Sequence, residues 1–257
     1  MELLRGVWAL VVLAVVTPLC GIPSAVISLV HRGSDVTMRL GRIWSRSMLW
    51  ATGARVRYEG LDRAAATLPC IYISNHQSNV DIWALIAVLP VQTRFVAKQS
   101  LFRIPALGWA MSASGFIPID RTNRSRAIRS LRAAAARIRD GRPVVLFPEG
   151  TRSLDGRLGE FKKGPFHLAL RAGVPIVPIA IGGSGRVLPS GTIRCRPGPV
   201  AVRFLESIDV GKFASDDHDG LRRVVRGAIA AKLDEDEGSG TRHGDSTAGP
   251  AGVAGSA

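Results

Sequence analysis

Cysteine, tyrosine and acidic residues are scarce in this chain of 257 residues, and their scarcity narrows the class of protein. The three cysteines, Cys20, Cys70 and Cys195, form no C-x-x-C pair, which excludes a disulfide scaffold and a cysteine-rich zinc site. With two Tyr, eight Phe and no recognised nucleic-acid motif, the sequence also argues against a nucleic-acid-binding protein.

Basic residues dominate the charge. Lys and Arg number 34 against 20 Asp and Glu, a net charge of +14. Residues 234–257 hold five acids and one Arg, so the other 33 basic and 15 acidic residues give 1–233 a charge of +18. Such a charge predicts an anionic partner: a membrane surface, a nucleic acid or a phosphorylated substrate.

The N-terminal segment from Gly6 to Val30 carries no charge and is long enough to cross a hydrocarbon core of about 30 Å. Pro18 and Pro23 would kink a helix, so one kinked transmembrane helix and two short helices inserted from one face both remain possible. Because basic residues are more numerous after this segment than before it, we expect a cell-membrane protein with its active domain on the cytoplasmic face.

Three regions follow from the composition. Residues 1–50 are predicted to be membrane-anchoring or interfacial helices; the alternative for 37–50 is a surface helix packed on its own domain. Residues 51–233 alternate strand and helix patterns, which predicts an α/β fold, a mixed sheet with parallel strands flanked by helices. Residues 234–257 have almost no large apolar side chains and are predicted to be a disordered acidic tail.

The alternating patterns predict eight strands and five helices. The candidate strands are Arg55–Tyr58, Ile71–Ser74, Arg94–Ala97, Phe116–Ile119, Val144–Phe147, Ile176–Ile181, Ile193–Arg196 and Val200–Phe204. The candidate helices are Val80–Leu89, Pro105–Ser112, Ser125–Arg139, Phe161–Ala172 and Leu221–Lys232. Proline cannot donate to a strand ladder, so Pro175 and Pro178 predict an edge or wall position for the sixth strand.

A polar cluster follows the second strand, where open α/β sheets bind ligands. If His76 lies in the loop and Asp81 in the first helical turn, the carboxylate can orient the imidazole and make His76 a general base. The alternative is structural: Ser78 and Asp81 would form a capping box, and His76 would be a polar loop residue.

Two further turns carry cations. Arg121 follows a strand and suits a phosphate, unless it only begins a solvated Arg-rich helix face. After Val144–Phe147, Gly150 lets backbone approach a ligand, while Arg152 offers donors to a phosphate, unless this is a plain turn.

Two lysines at the start of the candidate helix Phe161–Ala172 are also candidates for phosphate binding. Lys162 and Lys163 are adjacent, and the sequence leaves open which of them would meet the anion.

Taken in order, these segments resemble the four blocks of the lysophospholipid acyltransferase family. The blocks are Asn75–Asp81, with its H-x4-D pair, Gly115–Arg121, Phe147–Ser153 and Val174–Ile179. Within the family, the chain looks most like the 1-acyl-glycerol-3-phosphate acyltransferases, over roughly residues 50–210. Pro118 departs from the pattern, which more often has a bulky apolar residue there.

The resemblance implies a reaction and its partners. A fatty acyl group would pass from acyl-CoA or acyl-carrier protein to the free hydroxyl of lysophosphatidate, giving phosphatidate in phospholipid biosynthesis. His76 would be the base and Asp81 would orient it. A membrane bilayer would be a further partner, whereas no nucleic acid, metal or cofactor is implied.

The other implied roles concern substrate binding. Lys98 or backbone N–H groups near His76 would stabilise the oxyanion. The residues implied to bind the acceptor are Arg121, Glu149, Gly150, Thr151 and Arg152. Two alternatives remain open: the same chemistry on glycerol 3-phosphate, a lysophospholipid or a lyso-aminolipid, and a non-catalytic membrane or nucleic-acid-binding protein.

Overall fold

The computed structural model describes residues 1–31, 35–90, 93–120 and 122–242. Its strands are β1 (Ala54–Glu59), β2 (Ile71–Ser74), β3 (Arg94–Lys98), β4 (Ile117–Ile119), β5 (Val144–Leu146), β6 (Ile176–Gly182) and β7 (Gly198–Phe204). Its α-helices are α1 (Glu2–Val30), α2 (Asp35–Thr52), α3 (Leu61–Ala66), α4 (Asn79–Val88), α5 (Leu107–Ala113), α6 (Arg124–Arg139), α7 (Gly164–Ala172), α8 (Ser184–Val187) and α9 (His218–Arg242).

The seven strands form one sheet in the order β1-β7-β6-β2-β5-β3-β4. Neighbouring strands are parallel except for β6 and β7, which are antiparallel. This confirms the predicted α/β fold with a mixed sheet. Because β2 lies beside β5 in parallel, the chain segments that leave their carboxyl ends meet at one edge of the sheet.

Helices cover both faces of the sheet, and alternate residues of the strands feed two apolar cores. Tyr72 packs in the core on the side of α1, α2 and α4. Ile71 and Ile73 pack in the core on the side of α6, α7 and α9. Helices therefore pack on each face through large buried side chains. Burial of each such Leu, Ile or Phe stabilises the fold by about 1.5–3 kcal/mol.

Of the two positions predicted for the proline-containing strand, an edge or a wall, the edge is wrong, because β6 is internal, between β7 and β2. The geometry explains how Pro178 is accommodated. Its carbonyl accepts from Leu205 N at 2.9 Å, so Pro178 faces the chain that continues β7, beyond the last strand pair, Ile179 with Phe204. The missing N–H therefore falls outside the ladder.

Two further element predictions differ from the structure. Residues 193–196 do not form a strand: Cys195 N donates to Glu2 O and Arg196 N to Val187 O, so this backbone bonds to helices. The last helix, α9, runs to Arg242, ten residues past its predicted end, into the segment predicted to be a disordered tail.

The structure decides between one helix and two short helices for the N-terminal segment. α1 is a single helix that contains Pro18 and Pro23, not a pair of short helices. It is the one described helix long and apolar enough to cross a membrane, judged by length and composition. α2 packs against it, with a hydrogen bond of 3.0 Å from Trp44 Nε1 to Thr17 Oγ1.

α1 contacts the α/β domain at several points along its length. Glu2 pairs with Arg196 at 2.6 Å. Gly6 and Gly21 pack so closely on neighbouring backbone that an added Cβ would lie 1.6 Å from Ile193 O and 2.5 Å from Ala106 O, respectively. The helix therefore lies along the domain instead of projecting from it.

Candidate active site

His76 and Asp81 form a hydrogen-bonded pair at the carboxyl end of β2. His76 Nδ1 lies 2.8 Å from Asp81 Oδ2, and both side chains are buried, Asp81 completely. Asp81 sits in the first turn of α4 while His76 lies in the loop before it. The five-residue spacing therefore brings the two side chains together, as the sequence predicted.

The carboxylate of Asp81 also organises the loop. Its Oδ2 accepts from Gln77 N at 2.7 Å and from Ser78 N at 2.8 Å. Ser78 Oγ accepts from Val80 N at 3.2 Å, which completes a capping box. The capping box and the His76–Asp81 pair are therefore compatible interpretations of this segment, because one oxygen of Asp81 caps the helix and also holds the imidazole.

Glu149 fastens the backbone of His76 from the neighbouring loop. Its Oε1 accepts from His76 N at 2.8 Å, and its Oε2 accepts from Gly159 N at 3.1 Å. Burial raises the pKa of this carboxyl, while the two backbone hydrogen bonds lower it. This geometry makes Glu149 a positioning residue; that it also binds the acceptor stays a prediction.

Phe147 supports the imidazole from the side. Its ring stacks on the His76 ring with centroids 4.1 Å apart and planes 23° apart. Phe147 also lines a cavity of about 920 Å³ beside α6 and α7, whose floor includes Leu131 and Leu168. The histidine is thus held next to an apolar space large enough for part of a lipid chain.

The loop after β5 contains four of the residues implied to bind the acceptor, Glu149 and the three that follow it. Arg152 Nη1 donates to Asn79 Oδ1 at 3.1 Å, at the start of α4 and three residues from His76. Thr151 is exposed, and Gly150 adopts a φ of +76° that favours glycine. Ser153 N donates to His76 O at 2.8 Å, so the structure brings this loop to the histidine.

Of the other predicted site residues, the one that the structure describes makes no hydrogen bond or ion pair with His76 or Asp81. Lys98 is the last residue of β3, with an exposed side chain at the carboxyl edge of the sheet. Arg121 lies outside the described residues. Of the predicted oxyanion donors near His76, the N–H groups of His76, Gln77 and Ser78 all bind carboxylates already, so these three are not available.

Asn75 is a functional-site residue that the sequence reasoning missed. Its side-chain amide donates to Ile181 O and accepts from Ile181 N, both at 2.8 Å, and it is 1% exposed. The bonds hold the start of the His76 loop against β6. The signal was available: a polar amide directly before the histidine, at the end of an apolar strand.

Other kinds of active centre find little support in the described residues. Burial raises the pKa of the Cys70 thiol to about 12, so it holds no thiolate at neutral pH. Among the described residues, no three His, Cys, Asp or Glu side chains come together as a metal site. The arrangement pairs a buried histidine with a carboxylate, a geometry suited to activating a hydroxyl or a water.

Comparison with known proteins agrees with this class of site. Residues 55–182 match the family model described as Acyltransferase. The 1-acyl-sn-glycerol-3-phosphate acyltransferase alpha of Bos taurus is 31% identical over 249 residues, 96% of this chain and 83% of that protein. The chain therefore belongs to the acyltransferase family, which confirms the resemblance of its four motif blocks.

Several plant and algal relatives are also named 1-acyl-sn-glycerol-3-phosphate acyltransferases. The chloroplastic 1-acyl-sn-glycerol-3-phosphate acyltransferase BAT2 of Brassica napus is 43% identical over 52% of this chain and 39% of that protein. The chain aligns with 39% to 50% of the length of this relative and of those from Chlamydomonas reinhardtii and Arabidopsis thaliana.

A solved structure extends the similarity to nearly the whole chain. The crystal structure of the 1-acyl-sn-glycerophosphate (LPA) acyltransferase PlsC from Thermotoga maritima superposes with a TM-score of 0.79 at 26% identity. It covers 92% of this chain and 96% of that chain. The mixed sheet and the N-terminal helices thus occur together in a related fold.

Proposed function

We propose that this protein transfers a fatty acyl group from a thioester donor to the free hydroxyl of 1-acyl-glycerol 3-phosphate, giving phosphatidate. The observation that carries the proposal is the 2.8 Å contact between His76 Nδ1 and Asp81 Oδ2 beside the Arg152 loop. The names of the relatives support this acceptor. The donor is acyl-CoA or acyl-carrier protein, and no cofactor or metal takes part.

The pair prepares His76 to act as a base. Because Asp81 accepts the Nδ1 proton, Nε2 carries the lone pair, and no described protein atom hydrogen-bonds to it. Nε2 removes the proton of the acceptor hydroxyl as its oxygen attacks the thioester carbonyl. Asp81 stabilises the imidazolium that forms, and general-base help of this kind contributes about 10²–10⁴-fold.

The second half of the reaction returns the proton. The tetrahedral intermediate collapses, its C–S bond breaks, and the imidazolium protonates the leaving thiolate. The new ester is phosphatidate, and the enzyme is never acylated. We propose that Lys98 stabilises the oxyanion. The N–H groups of His76, Gln77 and Ser78 cannot do so, because each already donates to a carboxylate.

The acceptor phosphate is assigned to the loop after β5. Arg152 is anchored through Asn79, and a guanidinium binds phosphate through paired N–H donors. Arg121, predicted from sequence to join this clamp, keeps that proposed role. Gly150 and Thr151 complete the pocket, one by close backbone approach and the other by its hydroxyl.

The location we propose is a membrane surface, with the active domain on its cytoplasmic side. α1 exposes a row of large apolar side chains: Leu3, Leu4, Val7, Trp8, Leu10, Val11, Val15, Leu19, Ile22, Val26, Leu29 and Val30. Because α1 is packed along the domain, this face favours insertion from one side over a full crossing. Both acceptor and product are lipids, so such docking brings the site to its substrates.

The experiment that tests the proposed substrate is an acceptor panel with purified full-length protein in mixed micelles. Lysophosphatidate, lysophosphatidylcholine and glycerol 3-phosphate are each offered with acyl-CoA and with acyl-carrier protein as donor. We expect phosphatidate from lysophosphatidate at a kcat/KM at least about tenfold above the others. A higher kcat/KM for another acceptor would support the same reaction chemistry but show that lysophosphatidate is not the preferred substrate.

A further inference from the structure

Lys162 lies directly over the Gly150 turn. A Cβ at Gly150 would lie 2.9 Å from Lys162 Nζ and 3.0 Å from its Cε. Lys162 N donates to Pro148 O at 2.9 Å, which fixes the start of the side chain on the same turn. The ammonium is thereby held at the loop that also carries Arg152.

The two adjacent lysines have different partners. Lys163 Nζ forms an ion pair with Asp219 Oδ2 at 2.7 Å. Lys162 is exposed, and among the described residues no carboxylate is in ion-pair contact with its Nζ. Lys162 is thus the lysine with a charge still available for a ligand, which decides between the two candidates left open by the sequence.

The surroundings of Lys162 connect it with the active site. It lines the cavity of about 920 Å³, whose wall includes Phe147 and the first residues of α7. The His76 ring stacks on Phe147, so the imidazole, the cavity and the ammonium are gathered around residues 147–150. Arg152 lies on the α4 side of this turn and Lys162 on its α7 side.

We propose that Lys162 is a further phosphate-binding residue of the site, separate from the Arg152 clamp. An exposed ammonium over a glycine turn suits a phosphate oxygen, which then lies beside the backbone as well. Two substrates could supply that oxygen, the acceptor's phosphomonoester or the phosphates of the donor's pantetheine arm and nucleotide. The assignment rests on the proposed function for the identity of these two substrates.

The test compares Lys162→Met with Lys162→Arg and Lys163→Met in the full-length protein. With one substrate saturating and the other varied, Lys162→Met should raise the KM of one substrate about tenfold or more, because a charge-assisted hydrogen bond is lost. Lys162→Arg should retain most of the affinity, and Lys163→Met should change neither KM. A raised KM for lysophosphatidate assigns Lys162 to the acceptor, and a raised KM for acyl-CoA assigns it to the donor.

A binding measurement separates this proposal from the reaction itself. Lysophosphatidate and CoA are titrated calorimetrically into wild type and Lys162→Met, whose thermal unfolding should coincide because the side chain is exposed. Weaker binding of one ligand to the variant supports the proposal even if wild type forms no phosphatidate. Equal affinities for both ligands, or an equal loss in Lys163→Met, overturn it while leaving the proposed function standing if wild type is active.

Discussion

At the scale of single residues, the site depends on carboxylates that bind backbone as well as side chains. Asp81 holds the His76 imidazole and two loop N–H groups with one oxygen. Glu149 joins the backbone of His76 to that of Gly159. Two buried carboxylates therefore fix the position of the imidazole that we propose as the base, which favours a rigid, pre-organised site.

Glu149 gives a prediction about pH. Because burial raises its pKa above the ordinary value of 4.5, the folded protein binds this proton more tightly than the unfolded chain. The stability due to this carboxyl is therefore fully present below about pH 4.5 and falls as pH rises through the raised pKa. The free energy of unfolding of wild type minus that of Glu149→Gln should consequently be larger at pH 4.5 than at pH 7.

Denaturant unfolding across this pH range measures the difference. Glu160→Gln removes an exposed carboxylate from the same loop and is the matched control. A difference that shrinks as pH falls would contradict the burial argument for Glu149. Acyl transfer by Glu149→Gln should also drop, since the amide cannot accept both N–H groups and the His76 backbone loses a support.

At the scale of elements, the carboxyl ends of β2, β5 and β6 are joined by side-chain bonds that extend the sheet. β2 ends at Ser74, opposite Ile179. Alternate residues of a parallel strand bond to the same neighbour, so the backbone of Ile181 also faces the β2 side, where no strand residue remains. The amide of Asn75 takes that place in the ladder.

Asn75→Ala should therefore destabilise the fold as well as the site. The change leaves the N–H and C=O of Ile181 without their partner in a buried environment, which costs about 2–4 kcal/mol. Thermal and denaturant unfolding measure this loss. Asn79→Ala, at an exposed asparagine in the same segment, should change stability by no more than about 0.5 kcal/mol. Equal stability of the two variants would contradict the ladder argument.

The sequence predicts most of the sheet's strands and the contact between His76 and Asp81. His76 and Asp81 belong to a local motif, so their contact depends only on one turn at the start of α4. The position of β6 in the sheet depends on strand order, which no local pattern encodes, and Pro178 therefore suggested an edge. The roles of Asn75 and Glu149 depend on contacts 106 and 73 residues apart along the chain, and only the folded sheet reveals them.

At the scale of the whole molecule, net charge and apolar surface both favour binding to a membrane, and the apolar surface also predicts an orientation on it. α1 presents its apolar row on the side of the sheet that carries α2 and α4, whereas α9 packs on the other side. The excess of basic residues adds attraction to anionic lipid. We expect these two contributions to act together in binding the protein to its lipid substrates.

Membrane binding can be tested by adding a charge to one helix face at a time. Val15→Arg and Leu19→Arg place a cation on the exposed row of α1 and should weaken partition onto anionic vesicles about tenfold or more, because each removes apolar burial in the bilayer. Val224→Arg makes the same change at an exposed apolar position of α9 and should bind normally. Vesicle co-sedimentation measures both, and equal binding of all variants would contradict this orientation.

In the proposed reaction His76, oriented by Asp81, is the base that activates a lipid hydroxyl. The most direct measurement is kcat for phosphatidate formation by membrane-bound His76→Ala, with His218→Ala, on α9, as the control histidine. We expect a fall of at least about 100-fold for His76→Ala, at a temperature where the variant remains folded and binds vesicles as wild type does, and little change for His218→Ala. Phosphatidate formation by His76→Ala at the wild-type rate would contradict it.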